Sequence, residues 1–166
     1  MCGVKTNVVT AIEITDRYGA DSPQFKPLVN ATARNFVMNQ VSADKAYLSD
    51  ANLRAVVDNS AVPYIPFKVN SRSNRRHSYF WKRMFHYYSY NQAHFMASYH
   101  KRSNVESTFS MIKAKFGDRL RSKTQTAQIN EAFCKVLAHN LCCVIQSIYE
   151  LGIQPGFWSE PNGFAH

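Results

Sequence analysis

The stretch from Tyr99 to Phe116 constrains this chain most, because its residues sort into two coherent faces only as a helix. Val105, Phe109, Ile112 and Phe116 recur at helical spacing and form an apolar stripe. Arg102, Glu106 and Lys113 form a second stripe beside it; at ~100° per residue they fall within about 40° of one another. Tyr99 sits one turn earlier and about 60° round by the same geometry. One carboxylate is thereby fixed on a rigid element, with cations one turn before it and two turns after it. Taken alone, this is also the pattern of a solvated helix face, since helical charge pairs are common and weak.

The 166 residues suffice for one domain with a core, and at 45% hydrophobic and 13% aromatic the chain is globular rather than disordered. A formal charge of +9, from 20 Lys+Arg against 11 Asp+Glu, favours a polyanionic partner through counterion release and long-range attraction. Charge alone does not choose between nucleic acid and an acidic membrane. No apolar run approaches the roughly 18 residues of a spanning helix, and no signal peptide is visible, so a membrane partner is not expected. Cys2, Cys134, Cys142 and Cys143 form no C-x-x-C. Cys134 and Cys142 fall in an apolar helical pattern, where free Cys acts as a small hydrophobe. The expectation is a reduced, cytoplasmic protein without a zinc site. The nucleotide-binding patterns G-x-x-x-x-G-K and G-x-G-x-x-G and the zinc pattern H-E-x-x-H are absent.

In chain order, Val9 to Thr15 alternates like a strand. Strand patterning so near Met1 suggests that sequence once preceded it, since termini normally lie loose at the surface. A turn-rich loop from Asp16 to Pro23 leads to a helix from about Pro23 to Asn35, which Asp21 or Ser22 can cap. Phe36 to Ala43 reads as a short strand delivering Asp44, a common place for chemistry in α/β folds. Ser49 can cap a helix over Asp50–Asn59, and Val62 to Asn70 reads as a strand whose prolines place it at an edge or at strand ends. Ser71 to His77 is basic, either a solvated linker or a phosphate contact. The aromatic run Phe80–Tyr90 suits core packing first and base stacking second. Gly117 stops the Glu106 helix, and Arg119, Arg121 and Lys123 alternate in an extended segment. A long helix from Thr126 to Leu151 carries a broad face, Phe133, Val136, Leu137, Asn140, Leu141, Val144, Ile145 and Ile148, expected to be buried. His139 and Asn140 in it read as packing or local hydrogen bonding.

This order of elements, with the spacing Tyr-x2-Arg-x3-Glu-x6-Lys at Tyr99, Arg102, Glu106 and Lys113, resembles the ribonuclease H-like catalytic domain of DDE insertion-sequence transposases, in the branch marked by a Tyr-Arg-Glu-Lys signature. Asp44 with Tyr47 is similar to that family's second acidic motif. The resemblance implies an α/β fold, a mixed sheet flanked by helices, over residues 1–155, with a loose tail over 156–166. It implies metal-dependent DNA strand cleavage and strand transfer by three carboxylates holding two Mg²⁺ or Mn²⁺ ions. Asp44 and Glu106 would be two of those ligands, and Tyr99, Arg102, Lys113 and Tyr47, with Arg119 and Arg121, would meet DNA. The implied partners are element ends, target DNA and other transposase chains, in a bacterial or archaeal cytoplasm and on the nucleoid.

The family's first Asp lies on a strand well upstream of the second, and here Asp16 and Asp21 are the only aspartates before Asp44. Both fall in a loop. Asp16 is one source for the missing ligand; the preferred account is that the first, central strand and its Asp are absent. Such a chain is expected to be inactive alone. The alternative is a basic, non-catalytic DNA-binding remnant that associates with, or inhibits, full-length transposase.

Overall fold

The chain folds, in order, into α1 (Phe25–Ala33), β1 (Gln40–Ser42), α2 (Asp50–Asp58), β2 (Val62–Tyr64), α3 (Tyr79–Tyr90), α4 (Gln92–Tyr99), α5 (Ser103–Phe116) and α6 (Gln125–Leu151). Single 3₁₀ turns cover Ser22–Gln24, Lys45–Tyr47 and His100–Arg102. The computed structural model describes residues 1–15 and 19–152. Asp16, the residues after Gly152 and the expected tail over 156–166 lie outside them.

Helix starts follow side-chain oxygens that satisfy amides left open in the first turn. Ser49 accepts from the Asn52 N–H at 3.1 Å, Ser78 from Trp81 at 3.1 Å and Thr124 from Ala127 at 3.3 Å. The expected cap at Asp21 does not form: its side chain makes no capping bond, and α1 begins through the 3₁₀ turn with Pro23 in its first turn. Gly117 (φ +82°) and Gly152 (φ +62°) end α5 and α6 in a region that side chains avoid.

The sheet is smaller than the sequence pattern promised. Among the described residues it has two parallel strands, with Gln40, Val41 and Ser42 opposite Val62, Pro63 and Tyr64, joined by a crossover through α2. The Val62 N–H bonds to Asn39 O (3.0 Å) and the Ala43 N–H to Tyr64 O (3.3 Å). Pro63, between them, therefore turns its missing donor away from β1. Leu53, Val56, Ile65 and Phe95, all fully buried, form the centre of the core between β2, α2 and α4. Phe67 collects the inner rings of α3, with centroids 4.9 Å from Trp81 and 5.4 Å from Phe85. That face of the aromatic run packs as expected.

Three sequence expectations fail here. No strand forms over Val9–Thr15. Instead Gly3 N–H bonds to Val8 O (2.8 Å) and Thr10 N–H to Met1 O (3.0 Å), around a turn with Asn7 at φ +56°. The other side of Val9 is taken by a side chain rather than a strand: Asn140 accepts from its N–H and donates to its C=O, both at 2.8 Å. A side-chain amide thus completes one rung of a ladder. Second, the helix through Glu106 is not continuous, since the His100–Arg102 turn separates α4 from α5. Of its apolar stripe Ile112 is buried, whereas Val105 and Phe109 are exposed.

Third, the broad face of α6 is open. Leu137 is 61% exposed, Leu141 55% and Ile145 55%, while the residue it buries fully is His139. His139 Nε2 lies 3.0 Å from Asn7 O, so His139 and Asn140 clamp the N-terminal turn. Contrary to the sequence reading, α6 is also long and apolar enough to cross a membrane by length and composition. It packs on α5 and, through His139 and Asn140, on the N-terminal turn.

Candidate functional site

Asp44 follows β1 in extended backbone and opens the 3₁₀ turn that carries Tyr47. β1 is tied to the end of α4 by Ser42 Oγ, which donates to Ser98 O at 3.0 Å. That contact delivers Tyr99 and the next turn to the end of the strand. Tyr99 Oη donates to Asp44 Oδ1 at 3.1 Å across 55 residues of sequence. Arg102 Nε donates to Tyr99 Oη at 2.8 Å and lies 3.2 Å from Asp44 Oδ1. From the same guanidinium Nη1 reaches Glu106 Oε1 at 3.3 Å, one turn into α5. One arginine therefore holds both carboxylates, and its cation lies 5.2 Å over the Tyr99 ring.

The electrostatics follow the geometry. The hydrogen bond to Tyr99 raises the Arg102 pKa first; partial burial opposes it, and the charges of Asp44 and Glu106 add to it. Tyr47 is pushed up by burial, then by Asp21 and Asp44. Its ring packs on Phe25 at 5.5 Å.

These groups line a cavity of about 370 Å³. Met1, Cys2, Phe25, Leu28 and Val41 form its apolar wall, and Asp44, Tyr47, Lys101, Arg102 and Glu106 its polar one. Gln40, Val41 and Ser42 of β1 also line it, and among the described residues β1 is paired on one side only.

The remaining sequence candidates lie elsewhere. Lys113 is exposed two turns beyond Glu106 and does not line the cavity. Arg119 and Arg121 sit in the exposed, irregular segment between α5 and α6. That segment is held by its backbone: Arg121 N–H and Ser122 N–H each bond to Glu131 Oε2 at 2.9 Å, and Lys135 Nζ donates to Arg119 O at 2.7 Å. The sequence reading missed Lys101, whose Nζ donates to Gln40 Oε1 at 3.1 Å at the cavity wall. Its position directly before Arg102 was the available signal.

Carboxylate oxygens are the donors that a hard divalent cation takes. Asp44 and Glu106 offer donors of that kind, and here both are paired with Arg102. Among the described residues no third His, Cys, Asp or Glu joins them in a metal-holding group, so a second ion's ligand set is not present there.

The family model described as "Transposase DDE domain" matches residues 1–141 of this chain. No curated protein and no solved structure matches it.

Proposed function

Because this chain belongs to the transposase DDE domain family, we propose that it is the Asp44- and Glu106-bearing part of a DDE catalytic domain, in the Tyr-Arg-Glu-Lys branch, acting on DNA in transposition. The observation that carries this is the meeting of Asp44 and Glu106 at one guanidinium on the wall of a cavity. Asp44 and Glu106 would hold Mg²⁺ or Mn²⁺. When bound, such an ion supplies activation of a water or 3′-hydroxyl and charge stabilisation at phosphorus.

The chain's own residues do the rest. Tyr99 and Arg102 orient the two carboxylates and keep them together without metal. Arg102 is then free to neutralise a DNA phosphate as the carboxylates take the cation. Lys113, Arg119 and Arg121, exposed along α5 and the segment after it, meet backbone phosphates. Tyr47, against Asp44, closes the apolar side of the site. The third carboxylate arrives on an added strand along the open edge of β1, where backbone pairing positions it beside Asp44. On this reading residues 1–155 act as one unit, on the nucleoid of a bacterial or archaeal cytoplasm, and the isolated chain binds DNA without cutting it.

A second reading is a non-catalytic DNA-binding chain that associates with a complete transposase. The open apolar face of α6 favours it.

Mn²⁺ binding by calorimetry or electron paramagnetic resonance tests the first reading. One ion is expected, with affinity lost in Asp44→Asn and in Glu106→Gln. Binding indifferent to both substitutions would remove the metal pair and leave the second reading.

A further inference from the structure

α3 has two faces, and the core uses one of them. Trp81 and Met84 are buried on the inner side. Tyr79, Arg83, His86 and Tyr90 are exposed, and at ~100° per residue they fall within about 60° of one another on the outer side. Tyr79 is 69% and Tyr90 82% exposed. The His86 and Tyr90 rings lie nearly parallel, 14° apart with centroids at 6.1 Å. Tyr79 stands about 16 Å along the same face, from the ~1.5 Å rise per residue.

The segment that carries this face has charges of one sign. From Asn59 to Val105 the sequence contains no Asp or Glu and eight Lys or Arg. Three of those arginines, Arg72, Arg75 and Arg76, are exposed in the loop that leads into α3. The carboxylate at the start of α3, Asp50, is consumed by Ser78, which donates to it, and by His77 Nδ1 at 3.5 Å. Exposed rings on a cationic surface match a strand whose bases are free to stack and whose phosphates need neutralising. A duplex hides its base faces and would use the arginines alone.

We propose that the outer face of α3, with the Ser71–His77 loop, binds single-stranded DNA: Tyr79, His86 and Tyr90 stack on unpaired bases while Arg83 and the loop arginines contact phosphates. This rests on the chain's reading as a DNA-handling protein but not on its metal pair.

The test is fluorescence anisotropy with labelled oligo-dT and oligo-U strands and with a DNA duplex of equal length, in EDTA. Without metal, binding is read even if the chain cuts nothing, so failure of the metal reading and failure of this one stay distinct. The double variant Tyr79→Ala/Tyr90→Ala is expected to lose at least about tenfold in single-strand affinity, a conservative figure for two lost stacking contacts. Its duplex affinity is expected to stay within about twofold, and Tyr79→Phe/Tyr90→Phe to retain single-strand binding because the rings remain. Tyr149→Ala, which removes an exposed ring on α6, is expected to change nothing. All three side chains are exposed, so circular dichroism should report folded variants. Equal loss on duplex and single strand, no loss in the double alanine variant, an equal loss in Tyr149→Ala, or oligo-U bound more tightly than oligo-dT would each overturn the proposal.

Discussion

Arg102 Nε lies 3.2 Å from Asp44 Oδ1, so the cation that separates two candidate metal ligands also holds them in place. Both carboxylates are substantially exposed, Asp44 at 49% and Glu106 at 71% of the side chain, and the pairs are screened accordingly. Arg102→Met should therefore cost less than about 1 kcal/mol of stability. The same change leaves two unneutralised carboxylates together, and Mn²⁺ affinity should rise by about three- to tenfold, the size of two half-exposed ion pairs. Urea denaturation and calorimetric titration read the two effects separately. Unchanged or weaker Mn²⁺ binding would mean that Arg102 is not what occupies the cation's place.

Tyr99 is the hinge of this arrangement, since it accepts from Arg102 and donates to Asp44. Tyr99→Phe keeps the ring under the guanidinium and deletes the hydroxyl. The expected loss is about 1 kcal/mol, the net worth of a partly buried hydrogen bond with a charged partner. A shift in the urea midpoint without a change in slope would fit that account. No shift would show that Asp44 and Arg102 re-pair directly.

Glu131 gives the clearest pH dependence. Backbone N–H groups of Ser122 and Arg121 pull its carboxyl down to about 2 from an ordinary 4.5. A lowered folded-state pKa contributes stability that is present above the ordinary value and lost as pH falls through the folded one. Stability should therefore decline between about pH 4.5 and pH 2, with the segment before α6 loosening first. Hydrogen exchange at Arg121 and Ser122 reads this directly. Glu131→Gln should show fast exchange already at neutral pH and a flatter acid profile; an acid profile equal to that of the parent would assign the effect elsewhere.

Local chemistry made the helices legible. Ser49, Gly117 and Gly152 act within one turn of where they stand, so spacing alone located α2 and the ends of α5 and α6. The strands were overread because alternation specifies a face, not a partner. Val9 satisfies its backbone with Asn140, a residue that periodicity assigned to the apolar face of a distant helix. The same limit explains α6: Leu137, Leu141 and Ile145 do share a face, but their spacing could not say what lies opposite. At the candidate site, Tyr99, Arg102 and Glu106 were legible as a helical motif, though Tyr99 ends α4, Arg102 lies in a 3₁₀ turn and Glu106 in α5. The cavity and Lys101 at its wall depend on how β1 meets α4, which no local pattern encodes.

The Asn140–Val9 contact yields a prediction whose size changes with pH. Asn140 presents one acceptor and one donor to a single residue's backbone. Asn140→Ala leaves both Val9 groups without that partner in a part-buried place, at an expected cost of about 2–3 kcal/mol. Asn140→Asp keeps the acceptor for the N–H but turns a second lone pair toward the Val9 carbonyl. At neutral pH it should be at least as damaging as alanine. Protonation restores an O–H donor, so the penalty relative to the parent at the same pH should shrink below about pH 4. Referring each variant to the parent removes the Glu131 contribution, which both share. Urea midpoints at neutral and acid pH decide it: an aspartate penalty that stays constant or grows on acidification would show that Val9 is held by packing rather than by the paired amide.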